Sequence, residues 1–234
     1  MVEGTRRRCP PGAARMSVNT ATAANLITLI RGVPAPEPML SRERERQLTN
    51  RQRDLLNRLV ELFNKGFAHL TMADLAAQLN CSLRTLYELA PSRDELVLTV
   101  IDRNLRSVGR TARGAIRSNM DPLEAIRYYL KAANVAVAGT TEVFARDLAT
   151  FPAGQQLSEQ HSNYLVDVTR CLLDTAVKQG EINDVDTAAI ARVMASLGRD
   201  LSRSEVLATL RSTPKEAADT ILDLILKGLN TNRV

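Results

Sequence analysis

The stretch from Thr71 to Glu95, TMADLAAQLNCSLRTLYELAPSRDE, constrains this chain more than any other. It contains three helix starts. Thr71 with Asp74 and Ser92 with Glu95 have capping-box spacing: a hydroxyl accepts an early amide N–H, and the carboxylate three residues on reaches back. Ser82 can cap the helix between them. Asn80 falls at a turn that needs a left-handed backbone, which Asn tolerates better than most residues. Ala76 is small enough for the first helix to cross the second closely. Leu75, Ala76, Leu79, Cys81 and Leu86 read as core. Two helices this short and tightly joined bury one face and present the other. That is the geometry by which a helix-turn-helix enters the major groove of DNA.

Elsewhere, 3.6-residue periodicity recurs and strand-length alternation is scarce. Aromatic content is only 3%, with no Trp, so Ala, Leu, Val and Ile must do the packing, which suits helices. The net charge of +5 is unevenly spread: residues 1–110 carry 17 Lys+Arg against 11 Asp+Glu, and residues 111–234 carry 14 against 15. The basic excess lies in the half with the helix pair, where phosphate contacts would use it. Cys9, Cys81 and Cys171 are odd in number and widely spaced, which suits a reducing compartment. No apolar run reaches the roughly 18 residues that span a bilayer. The apolar run 23–30 is a poor signal core and is followed by Pro34, Pro36 and Pro38, so a cytoplasmic protein is expected.

Residues 1–40 read as a disordered basic, Pro-containing tail with no core face, with Arg6, Arg7 and Arg8 available as a flexible arm and Met16 as an alternative start. From Ser41 the chain turns helical, with Leu55, Leu59 and Leu62 on one stripe and Gly66 at its end. A long helix is expected from Ser92 to about Asn119, with Gly109 and Gly114 as candidate bend points. Asp121-Pro122 and Thr213-Pro214, each followed by a Glu, open further helices. Helices are also expected over about 141–150, 158–179 and 186–197. The total is about nine helices and no strand.

With this layout the chain resembles the TetR family of transcriptional regulators. The resemblance is carried by Leu62-Phe63, Gly66-Phe67, Thr71, Leu75-Ala76, Thr85-Leu86-Tyr87, Ser92-Arg93 and Leu96, in that order and spacing, within a close match of about 55 residues. The sequence departs from the family at Asn80-Cys81-Ser82, where Gly-Val-Ser is usual. It departs again at Leu89 and Ala90, where a second aromatic and a Phe are often found. The resemblance implies an all-α fold: a three-helix DNA-binding domain over 41–91 and a helical ligand-binding and dimerisation domain over 92–234. It implies a homodimer on a palindromic double-stranded operator, most simply a repressor released by a small hydrophobic effector. The last two long helices would pair with their symmetry mates as a four-helix bundle.

Expected DNA-binding residues are Thr71, Ser82, Leu83, Arg84, Thr85, Tyr87 and Arg93. Thr85 and Tyr87 offer hydroxyls to phosphate. Arg84 is suited to a guanine edge or a phosphate, Leu83 to a thymine methyl, and Arg93 to clamping phosphate. Candidate effector contacts are Met120, Tyr128, Tyr129, Phe144, Phe151, His161 and Tyr164, the bulky or polar-tipped residues of the middle helices. His69 and His161 are too distant to suggest a metal, and no cofactor or catalytic motif is recognisable. A helical protein-interaction module that keeps this fold without binding DNA is the alternative, and a small-molecule carrier or enzyme using the C-terminal helices is another.

Overall fold

Side-chain caps set most of the helix boundaries. The computed structural model describes residues 26–137 and 139–230, and among these the chain is all-α, with twelve helices and a lone bridge between Ile182 and Asn230. A helix α1, described over 26–32, precedes α2 (Arg42–Gln47) and α3 (Asn50–Phe63). Helices α4 (Met72–Leu79) and α5 (Leu83–Leu89) form the helix-turn-helix, and α6 (Arg93–Gly114) runs out of it. The remainder is α7 (Pro122–Val137), α8 (Glu142–Ala149), α9 (Pro152–Lys178), α10 (Thr187–Asp200), α11 (Ser204–Leu207) and α12 (Pro214–Leu229). No helix among the described residues is long and apolar enough to cross a membrane.

The capping boxes at Thr71 and Thr213 form with both hydrogen bonds in place. Ser82 and Ser92 cap α5 and α6 by accepting from Thr85 N and Glu95 N. Asn80 closes α4 at φ 52°, the left-handed conformation its position requires.

Four boundaries differ from expectation. The helix begun at Ser41 stops at Leu48, because Thr49 and Gln52 form a further capping box and start α3 afresh. Helix α6 ends at Gly114, and the turn that follows returns Ile116 and Met120 to the core. Pro152 opens α9 at its first turn, where its missing N–H costs nothing, so the helix starts six residues before Ser158. The fourth concerns residues 26–40, expected to be coreless. Leu26 and Ile30 of α1 are buried in the same cluster as the body helices. The residues that follow are tied down too: Arg106 donates to Pro36 O at 2.7 Å, and Met39 N–H donates to Asp102 at 3.0 Å. Arg6, Arg7, Arg8, Cys9 and Met16 lie outside the described residues.

Two apolar clusters organise the chain. One joins α3, α4, α5 and the first half of α6 through Leu55, Leu59, Leu75, Leu86 and Leu96. The other joins the end of α6 with α7, α9, α10 and α12 through Ile126, Tyr129, Leu172, Met194 and Leu222. Helix α6 is common to both.

The loop after α3 belongs to the first cluster through Phe67 and Leu70. Gly66 adopts φ 110°, and a Cβ there would lie 2.9 Å from Val143 Cγ1 of α8. The N–H groups of Phe67 and Ala68 donate to Asp147 Oδ2 on α8 at 2.6 and 2.9 Å. On the other edge, Arg93 donates to Phe67 O and Leu70 O, each at 2.6 Å, and to Ala68 O at 3.2 Å. Thr141 Oγ1 donates to Asn64 O. The Phe67 ring packs against Phe63, Phe144 and Phe151, with centroids 5.6, 5.6 and 6.2 Å away. Backbone freedom at Gly66 thus lets two charged side chains hold one loop from both sides.

Candidate functional site

Helix α5 turns Leu86 and Leu89 into the core and leaves Leu83, Arg84 and Tyr87 outside. The Arg84 side chain is 89% exposed and Tyr87 is 52% exposed. Arg84 Nε rests on Glu88 at 3.2 Å, an exposed pair one turn apart that holds the guanidinium only weakly. Thr85 is half-buried beside them, its hydroxyl 2.8 Å from that of Ser82. Leu83, Arg84, Thr85 and Tyr87 therefore share one protruding helix, with Ser82 at its start. Arg44 of α2 braces the far end by donating to Glu88 O at 2.6 Å.

Thr71 and Arg93 are placed differently. The Thr71 hydroxyl is engaged in its capping box, donating to Asp74 at 2.6 Å and accepting from Asp74 N. Arg93 has its guanidinium on three loop carbonyls and on Asp94 at 2.8 Å. Its geometry is that of a latch on the loop at 67–70. Of the predicted core residues, Leu75, Ala76, Leu79 and Leu86 are buried, while Cys81 is half-buried. Burial pushes the Cys81 and Cys171 thiols above their ordinary pKa, against thiolate reactivity.

The seven candidate effector contacts do not gather in one place. Phe144 and Phe151 belong to the aromatic joint around Phe67. Tyr128 is on the outer face of α7, 42% exposed. His161 of α9 reaches Asp102 of α6, with Nε2 2.9 Å from Oδ1. Met120, Tyr129 and Tyr164 are buried together in the body cluster. An open groove of about 490 Å³ lies along α1 and α9, lined by Leu29, Asp167, Arg170, Cys171, Asp174 and others, and includes none of the seven.

Asp102 went unmarked in the sequence. It is buried, and its carboxylate accepts from Arg106 Nε at 2.8 Å, from Met39 N–H and from His161. Burial alone would raise its pKa, but the hydrogen bonds from His161, Arg106 and Met39 outweigh that and hold it below the ordinary value. Beside it is a space of about 20 Å³, room for one water. Asp147 repeats the pattern: burial raises it, and the Ala68 and Phe67 amides bring it down further. Apart from Arg106, one turn from Asp102 on α6, the partners of both carboxylates lie far away in the chain, so local spacing carries no sign of them.

Among the described residues, no group of His, Cys, Asp and Glu is arranged to hold a metal ion.

No family model and no curated protein matches this chain. Solved structures do. The TetR family regulator PfmR of Thermus thermophilus superposes with a TM-score of 0.56 at 23% identity, over 75% of this chain and 98% of that one. A TetR transcription regulator from Haloarcula marismortui gives 0.65 at 14% identity, over 79% and 100%. A TetR-like regulator from Rhodococcus sp. gives 0.58 at 22%, over 77% and 97%. Helix-turn-helix and helical body together, this chain has the fold of the TetR-family transcriptional regulators.

Proposed function

We propose that this chain is a sequence-specific DNA-binding transcriptional regulator acting in the cytoplasm, a homodimeric repressor released by a small, largely hydrophobic effector. The observation that carries the reading is the outer face of α5, where Leu83, Arg84 and Tyr87 stand clear of the core with half-buried Thr85 beside them. A helix presented this way fits the major groove, and its hydroxyls and guanidinium suit phosphate and base-edge contacts. Residues 41–91 would form the DNA-binding head and 92–234 the effector-binding and dimerisation body.

The dimer is proposed through α10 and α12, whose Val193 and Leu224 are exposed apolar side chains. Two-fold pairing would set the recognition helices about one DNA turn, roughly 34–36 Å, apart on a palindromic site. Helix α6 contributes to both apolar clusters, so an effector that moves it moves the head. The effector must bind the released state better than the DNA-bound one. Gly109 and Gly114 are proposed to localise that bend. A Cβ at either meets open space, so the double Ala variant should fold and show altered induction.

A mobility-shift assay on fragments of the source genome tests the reading. A retained duplex whose affinity falls steeply with salt supports it. Absence of any retained fragment at low salt overturns it in favour of a helical protein-interaction module.

A further inference from the structure

Inside the body cluster one buried hydroxyl has no hydrogen-bond partner among the described residues, and a second is met by a guanidinium. Tyr129 of α7 is 0% exposed, and its hydroxyl has no hydrogen-bond partner among the described residues. Tyr164 of α9 is buried in the same cluster. Its hydroxyl accepts from Arg113 Nη1 of α6 at 2.7 Å, which leaves the phenolic proton available to donate. The Arg113 guanidinium also lies 5.6 Å from the centroid of the Tyr164 ring.

Among the partly buried arginines of α6, Arg113 alone has no ion pair to a carboxylate among the described residues, and Arg110 is exposed. Of the α6 arginines nearer the head, Arg103 faces Glu45 at 3.7 Å and Arg106 pairs with Asp102 at 2.8 Å. Arg113 is half-buried, and no ion pair to a carboxylate is found for it among the described residues. Its neighbour is a neutral phenol, so most of its N–H groups have no charged acceptor. A half-buried cation and two buried hydroxyls at the edge of an apolar core are matched to one thing: an anionic acceptor.

We infer that Arg113, Tyr129 and Tyr164 form the anion-binding end of the effector site, and that the effector is an organic acid with an apolar body and a single carboxylate. This rests on the effector reading above and sharpens it. A carboxylate has two oxygens and about four acceptor positions, enough for an Arg113 fork with both hydroxyls. The apolar body of the acid would lie among the aliphatic side chains of the cluster. Because Arg113 is half-buried, its solvent side offers the point of entry. The core around Tyr129 is closed in this structure, so binding must open it. A ligand that binds only the opened body shifts the protein toward that state, which is what release requires.

The test is isothermal titration of the full chain, without DNA, using decanoate, 1-decanol and decylamine below their aggregation concentrations. Decanoate should bind saturably, about tenfold or more tighter than decanol, because a charged hydrogen bond is lost with the alcohol. Decylamine should be weaker still. Arg113→Gln should lose at least about tenfold for decanoate and little for decanol. Tyr129→Phe should weaken decanoate binding while leaving the melting temperature unchanged or higher, since it removes a buried hydroxyl with no partner among the described residues. If Arg113→Gln does not fold by circular dichroism, Tyr129→Phe decides. Equal affinity for acid and alcohol overturns the inference. So does undiminished decanoate binding in Tyr129→Phe, or no binding across an octanoate-to-hexadecanoate series. A chain that retains DNA but takes no acid loses this inference alone, and one that takes the acid but retains no DNA loses only the operator reading.

Discussion

The carboxylate of Asp102, on α6, accepts the backbone N–H of Met39 at 3.0 Å, across 63 residues of chain. The bond pins the segment before α2 to the long helix that links head and body. His161 of α9 and Arg106 complete the shell of a group that is only 3% exposed. Asp102→Asn keeps the shape and removes the charge that Arg106 requires. It should cost roughly 3 kcal/mol, as breaking buried pairs does. Urea unfolding measures this, and hydrogen exchange should show the Met39 amide losing protection. The pH sign follows from the lowered pKa. The unfolded chain takes up the proton more readily, so the Asp102 contribution is complete above the ordinary carboxylate range and is lost as pH falls through the folded value. The Asn variant should lack that part of the acid-unfolding profile.

Gly66 offers a sharper steric test. At φ 110° any L side chain is strained, and a Cβ would meet Val143 Cγ1 at 2.9 Å and Asp147 Oδ2 at 3.3 Å. Gly66→Ala should therefore destabilise by about 2–3 kcal/mol, from backbone strain plus displacement of α8. Gly180 is the control. Its φ is 70°, but a Cβ there has nothing within 4 Å, so Gly180→Ala should cost only about 1 kcal/mol. Equal losses in thermal or urea denaturation would show that the contact with α8 contributes nothing.

Glu181 follows α9 and titrates near neutrality. Burial, with the negative charge of Asp121 adding to it, pushes its pKa up to about 7. A raised carboxyl pKa means the folded protein holds the proton that the unfolded chain releases. Stability should fall as pH rises from the ordinary carboxylate range through about 7, and stay low above it. Glu181→Gln should flatten this slope and gain on the order of 1 kcal/mol at pH 8, after allowing for partial solvent screening. Denaturant titrations of both proteins between about pH 5 and pH 8 provide the check.

Much of the head was legible because its signals are local. Thr71 with Asp74, Ser82 and Asn80 each act within four residues as their spacing indicates, while Ser92 caps α6 through Glu95 N without the return bond of a full capping box. Leu55 and Leu59 of α3 and Leu75 and Leu79 of α4 are buried for the same reason, with Leu62 partly buried beside them. What escaped reading depends on distance along the chain. Phe67 meets Asp147 across 80 residues, so no window of sequence contains both. That partnership, with the aromatic joint, draws Phe144 and Phe151 to the head and away from the expected effector site. Helix α1 was missed because the stretch 26–32 before Pro34 gives little periodicity by itself, and Leu26 and Ile30 acquire meaning only against the body. The cationic type of Arg93 suggests a phosphate contact, and nothing in its local sequence signals the three loop carbonyls it also meets.

The proposed dimer makes a prediction that separates folding from association. Leu224 on α12 is 64% exposed, so replacing it by Asp should leave the isolated fold within about 0.5 kcal/mol. In a four-helix bundle between subunits the same change buries a charge without a partner. Leu224→Asp should therefore sediment as a monomer with an unchanged helical circular-dichroism spectrum. A variant that remains dimeric would place the interface elsewhere.

The outer face of α5 decides the operator reading. Arg84 makes one exposed pair with Glu88, worth a few tenths of a kcal/mol at most, so Arg84→Ala should melt as the parent does. On a footprinted operator the outcomes then divide by mechanism. If the guanidinium contacts phosphate, affinity falls for all sequences and the salt slope drops by about one. If it forks onto guanine, the loss is about 1–3 kcal/mol and is confined to sites carrying that base pair. Tyr87→Phe removes only a hydroxyl from a half-exposed ring, so a loss of affinity without a change in base preference would mark a phosphate contact. Because neither side chain supports the core, unchanged binding in the double variant would mean that α5 is not the surface that meets DNA.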